Sequence, residues 1–112
     1  MKKIICILIV LFSSLVFSQS ETGEDELYKK YEKVDKELNA TYNKLKKQLT
    51  EIDKNNLIAS QKAWINFRDL NCKFISKEDS EGGVISNKLK IDCLIQLTLE
   101  RTNQLKELFE EF

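Results

Sequence analysis

The chain of 112 residues contains no histidine and no proline, three glycines and one tryptophan. Without histidine, the commonest general base and the commonest metal ligand are both missing. Without proline, nothing in the composition forces a break in a long helix. Charge of one sign is missing too: 18 Lys+Arg stand against 18 Asp+Glu. That balance argues against a nucleic-acid binder, which carries a basic excess. The length allows one domain. What remains is a small, charged, helical chain.

The one long apolar run is at the start. Lys2 and Lys3 form a positive end, Ile4 to Phe17 an apolar stretch broken only by Ser13 and Ser14, and Val16-Phe17-Ser18 a cleavage site after Ser18. This pattern reads as a secretory signal peptide over 1–18. The rival reading, a retained anchor, asks for a run of about 20 residues. Cys6 lies inside the apolar stretch, too early for a lipoprotein box, so no lipid anchor and no stable membrane anchor after cleavage is expected. The location implied is exported, either periplasmic or secreted.

Removing 1–18 takes two lysines and no acids, leaving a net charge of −2 and about 36% apolar residues. That is lean for one small core, and a staple is expected. Cys72 and Cys93 are then the only cysteines, and an oxidising compartment lets a disulfide persist. Closing such a loop stabilises by roughly 3 kcal/mol in the chain-entropy view. Two free thiols or a redox pair are the rivals, but there is no CxxC spacing.

Residues 19–25 are polar and acidic and read as a flexible leader to a domain over 26–112. Leu27, Tyr31, Val34, Leu38, Tyr42, Leu45, Leu49 and Ile52 recur with a mean step of about 3.6, the period of an amphipathic helix. Glu26 with Lys30 and Glu32 with Lys36 support its wet face. This predicts helix one over about 25–52, with Asp53 as cap of the next. Helix two is expected over about 54–76. Leu57, Gln61, Trp64, Arg68, Cys72 and Ile75 share one face, with Ile58 and Ile65 beside it. Phe67, Leu70 and Phe74 form a second stripe elsewhere on that helix. Such a helix is either sandwiched between neighbours or keeps one side for a partner; the sandwich is the simpler expectation.

Residues 77–87, with the Gly82-Gly83 pair, read as a loop, and Ser86 or Asn87 as a cap. Beyond it, Leu89, Ile91, Cys93, Ile95, Leu97 and Leu99 alternate as a strand would. Yet Ile91, Leu94, Thr98, Arg101, Leu105 and Leu108 step by 3 and 4, and that pattern runs further. A lone strand also lacks a mate, so helix three is predicted over about 87–110. Glu107, Glu110 and Glu111 weaken its end. The fold expected is all-α, an antiparallel three-helix arrangement with one disulfide joining helices two and three.

Sixteen of the 18 basic residues are Lys; the two arginines, Arg68 and Arg101, lie on apolar stripes. A guanidinium suits a partly buried site with planar acceptors. Both read as structural, bonded to carbonyls or to acids such as Asp69, Asp92 or Glu100. The alternative is an exposed pair clamping an anion. Trp64, one turn from Arg68, reads as a core anchor that can also stack on it. No catalytic set emerges: no nucleophile has a histidine base, no Gly-rich phosphate loop is present, and carboxylate pairs are too common here to be diagnostic. Glu78, Asp79 and Glu81 do not match a calcium loop. No enzyme activity, metal or cofactor is implied.

Read in order, Leu38-Asn39, Tyr42, Leu45, Leu57, Gln61-x-x-Trp64-x-x-x-Arg68-Asp69-x-x-Cys72, Gly82-Gly83, Cys93-Leu94 and Thr98-x-x-Arg101-x-x-x-Leu105 resemble the LprI-like lysozyme-inhibitor domain. That family consists of small exported bacterial helical domains, and the resemblance covers roughly 26–108. It implies a protein partner, a lysozyme whose cleft is blocked. Gln61, Trp64, Arg68, Asp69, Thr98 and Arg101 would serve the fold. The candidate inhibitory loop is Glu78, Asp79 and Glu81 flanking Gly82 and Gly83, held rigid by the disulfide. Preorganisation of that kind lowers the cost of binding. The other class of function is an interaction module with no lysozyme target, its contact patch Phe67, Leu70 and Phe74 set on another helix or a copy of the chain.

Overall fold

The computed structural model describes residues 23–112, which form three α-helices: α1 (Glu24–Gln48), α2 (Glu51–Ile75) and α3 (Gly83–Leu108). The signal peptide assigned to 1–18 lies outside the described residues. Among the described residues there is no strand. The longer 3–4 spacing of the third segment therefore prevails over its alternation. A helix of this length buries Ile91, Ile95, Thr98, Thr102 and Leu105 on one face, which no lone strand could do.

The boundaries differ from the sequence expectation at several ends. α1 starts at Glu24, inside the stretch read as leader, and carries Glu24, Asp25 and Glu26 in its first turn, where the helix dipole favours acids. It stops at Gln48, four residues early, because Leu49 is extended (φ −88°, ψ 150°). Thr50, not Asp53, caps α2. Its Oγ1 accepts from the Asp53 backbone N–H at 3.3 Å and donates to the Asp53 carboxylate at 3.2 Å, a reciprocal cap of the S/T-x-x-acid type. Ile52 thereby passes from the end of the α1 stripe to the start of α2, where it is exposed.

The loop shrinks as well. α2 closes in a Schellman turn, with Lys77 N–H on Phe74 O and Glu78 N–H on Lys73 O. Lys77 takes the left-handed position (φ 56°) that glycine usually fills. Gly82 (φ 58°) and Gly83 (φ 87°) then turn the chain directly into α3. Ser86 and Asn87 are inside the helix and do not cap it. The Ser86 hydroxyl donates to Ser76 O at 2.8 Å in a buried bond, and Asn87 donates to the Glu24 carboxylate at 2.7 Å. α3 ends two residues early, ahead of Glu110 and Glu111.

Helices α1 and α3 run the same way. Asn87 meets Glu24 at one end, and Lys106 meets Glu37 at 2.7 Å further along both helices. α2 runs back between their ends. Val34, Ile91 and Ile95, with Leu27 and Tyr31 packed on them, form an upper core drawn wholly from α1 and α3. Leu38, Leu45, Leu57 and Leu105, with Trp64 among their neighbours, form a lower core to which α2 contributes. At the upper level α2 supplies no apolar core side chain. It is held there by Arg68 and by the Cys72–Cys93 disulfide, whose Cα atoms are 5.5 Å apart, a normal span for such a bond. The staple is thus placed where the hydrophobic core leaves α2 unsupported.

Candidate functional site

The helix-two motif and the TxxR of helix three meet in one cluster. Arg68 projects from α2 into the junction of all three helices and is 6% exposed. Its Nε donates to Asp69 at 2.9 Å, and its Nη1 donates to Asp35 of α1 at 3.4 Å and to the Thr98 hydroxyl of α3 at 3.3 Å. The guanidinium also stands over two rings, 5.1 Å from Trp64 and 5.7 Å from Tyr31. Arg101 of α3 also stands over the same indole, at 5.9 Å. Its Nε donates to the Gln61 side-chain oxygen at 3.0 Å and its Nη2 to the Ser60 hydroxyl at 2.9 Å. Both cations therefore contact Trp64, and cation–π attraction adds to the hydrogen bonds.

The electrostatics follow from this burial. Burial pushes the Tyr31 phenol above its ordinary pKa, an effect that the Arg68 charge partly opposes. Burial also lowers the pKa of Arg101. No buried side-chain nitrogen or oxygen among the described residues lacks a partner. A buried charge is tolerated when it is paired and fully bonded in this way. With donors of both guanidiniums turned to protein acceptors on neighbouring elements, the cluster ties the helices together. Of the acids expected beside the arginines, only Asp69 is bonded there. Asp92 and Glu100 are not, and Asp35 takes their place. Asp35 sits next to Val34 on α1, at the edge of the apolar stripe; which helix it faces depends on packing.

The tip between α2 and α3 is built differently. The disulfide, the Schellman turn and the Ser86–Ser76 bond brace it. Each of its three acids has a lysine: Glu78 with Lys90 at 3.1 Å, Asp79 with Lys73 at 3.2 Å, and Glu81 with Lys77 at 3.5 Å. The candidate inhibitory loop is a mixed-charge tip, and Gly83 belongs to the first turn of α3. Beside it lies a shallow groove of about 350 Å³, floored by Leu70 and Phe74 and rimmed by Lys73, Lys77 and Asp79.

The second stripe of α2 is not sandwiched. Phe67 is 56%, Leu70 57% and Phe74 80% exposed. The reason is the packing of α1 directly on α3, which leaves α2 with one covered side. Among the described residues no group of three or more acids and cysteines is arranged to hold a metal ion. No helix among them is long and apolar enough to cross a membrane.

These features define a small disulfide-tied helical domain in which the motif residues meet in one bonded cluster and the outer α2 face is exposed. The chain belongs to the lysozyme inhibitor LprI family, which it matches over residues 18–105. It is also 37% identical over 93 residues to an uncharacterized protein of Rhizobium meliloti (strain 1021). That match covers 71% of this chain and 66% of the relative. No solved structure matches it.

Proposed function

We propose that the protein is an exported inhibitor that binds a lysozyme and obstructs its cleft. The observation that carries this reading is the family match, which spans nearly all of the chain beyond the leader. The contact region proposed is the tip, Glu78, Asp79 and Glu81 with Gly82 and Gly83. Three features support it. The tip is braced on both sides, so little ordering is needed on binding. It is mostly exposed. It also sets lysines beside acids, so a cleft with two carboxyls meets cations at the same point as a basic enzyme surface meets anions. With a net charge of −2 once the signal peptide 1–18 is removed, long-range steering is weak, and contact geometry has to supply the specificity.

The test is lysis of a cell-wall suspension by several lysozyme types, with and without the oxidised, folded protein. Dose-dependent inhibition of at least one type is expected. Replacing Glu78, Asp79 and Glu81 together with Ser should abolish it while leaving helicity intact. A folded protein that inhibits no type overturns the reading. Full inhibition by the triple variant removes the tip from it.

A further inference from the structure

We infer that the outer face of α2 is a self-association surface, on which two copies of the chain pair their α2 helices antiparallel about a two-fold axis at Ala63. The inference does not depend on lysozyme being the target.

The face is free of charge along its whole length. Ile52, Asn56, Ala59, Ala63, Phe67, Leu70 and Phe74 lie in one row and all seven are exposed, in a chain that is 32% charged. Their spacing is 4, 3, 4, 4, 3, 4, which reads the same from both ends. Its mean of about 3.67 residues per turn keeps the row nearly straight along an α-helix. The order of side-chain sizes is what selects a second copy. Reversing the helix about Ala63 sets Phe67 against the partner's Ala59, Leu70 against the partner's Asn56, and Phe74 against the partner's Ile52. Phe67 and Leu70 thus meet the smaller Ala59 and Asn56, the large apolar Ile52 and Phe74 pair at the two ends, and at the axis alanine meets alanine, where two helices approach most closely. An isologous contact requires this kind of self-complementarity.

The flanking charges fit the same register. Antiparallel helices bring like edges together, and Glu51 and Lys73 share one edge. Reversal places Glu51 within about 3 Å along the axis of the partner's Lys73, at 1.5 Å per residue. Symmetry makes that pair twice. The like-charge approach is Lys62 to its own copy near the axis, with the partner's Asp69 about 7.5 Å further along the same edge. Each copy offers a strip about 33 Å by about 10 Å, which for the pair is below the roughly 1,000 Å² of a stable interface, so association is weak and depends on concentration. The two tips at 76–82 project at opposite ends of the pair and stay free.

The experiment is sedimentation equilibrium on protein expressed from the full sequence, with the Cys72–Cys93 bond intact, from micromolar to millimolar concentration. The mass should rise from one to two protomers. Ala63→Glu keeps a helix former at an exposed site and should hold the chain at protomer mass, weakening association by on the order of tenfold or more, as an unpaired charge at a closing interface does. Circular dichroism checks that it folds. Register is read by oxidation: Ala63→Cys alone should cross-link, Ile52→Cys alone should not, and Ile52→Cys mixed with Phe74→Cys should. A protomer mass at every concentration overturns the inference, as does a dimer indifferent to Ala63→Glu or cross-linking by Ile52→Cys alone. If the chain stays a monomer and Ala63→Glu instead relieves lysozyme inhibition, the face belongs to the enzyme and not to a second copy.

Discussion

Arg68 of α2 donates to Asp35 of α1 at 3.4 Å, across 33 residues of sequence. The same guanidinium bonds Thr98 of α3, so one side chain closes the triangle of helices. It does so at the level where α2 has no apolar side chain to offer the upper core.

Arg68→Ala should therefore destabilise the fold by about 2–3 kcal/mol. It strands a partly buried carboxylate and removes the packing against Trp64 and Tyr31. Arg68→Lys keeps the charge but not the planar fork, and should recover only part of that loss. Urea midpoints report both, with circular dichroism as the signal. A loss below about 0.5 kcal/mol for the alanine variant, the range of an ordinary surface change, would contradict a structural role.

Removing the staple should act locally first. Cys72→Ser with Cys93→Ser should lower stability by roughly 3 kcal/mol. Amide exchange in native conditions should speed up most around residues 69–88. There the upper core holds α1 to α3 but not to α2, so α2 can peel away without opening either cluster. Uniform acceleration across all three helices would mean that the disulfide supports the whole bundle.

Lys77 is a site where stability can be added. At φ 56° it bears the left-handed penalty of a residue with a Cβ, on the order of 1 kcal/mol. Lys77→Gly should raise the melting temperature, despite losing an exposed ion pair with Glu81 that contributes little. Gly82→Ala (φ 58°) should lower it. The reverse order of melting temperatures would rule out backbone strain as the governing effect at this turn.

The buried phenol of Tyr31 gives a pH signature. Its folded pKa lies above the ordinary value of 10.0, chiefly through burial. The folded state thus holds that proton more tightly than the unfolded chain does. The resulting stability is complete below about pH 10 and is lost as pH rises through the higher folded value. Tyr31→Phe removes this proton. The stability difference between the protein and the variant should be constant from about pH 7 to 9 and then shift against the unmodified protein at higher pH. Parallel curves through pH 11, about one unit past the ordinary phenol value, would show that the hydroxyl is not held in its neutral form.

Much of this protein can be read along the chain. The 3.6-residue recurrence of Leu27 through Leu49, the Leu57 to Cys72 stripe and the longer run of 3–4 steps through Leu108 determine three helices, because burying one face is a local, periodic requirement. Two cysteines beyond the leader allow one pairing. Two arginines placed on apolar stripes need covering and acceptors, and Arg68 is buried while Arg101 is partly buried. The tertiary structure decided the rest. An extended Leu49 ends α1 and Thr50 starts α2 where the apolar period would have carried on through Ile52, since capping a helix depends on single hydrogen bonds and not on period. α1 packs on α3, which gives Asp35 to Arg68 and uncovers Phe67, Leu70 and Phe74. Lysines from α2, the tip and α3 (Lys73, Lys77 and Lys90) neutralise a tip that reads as acidic in one dimension. Each of these outcomes depends on which surfaces meet, and that is set by the balance of burial among all three helices at once.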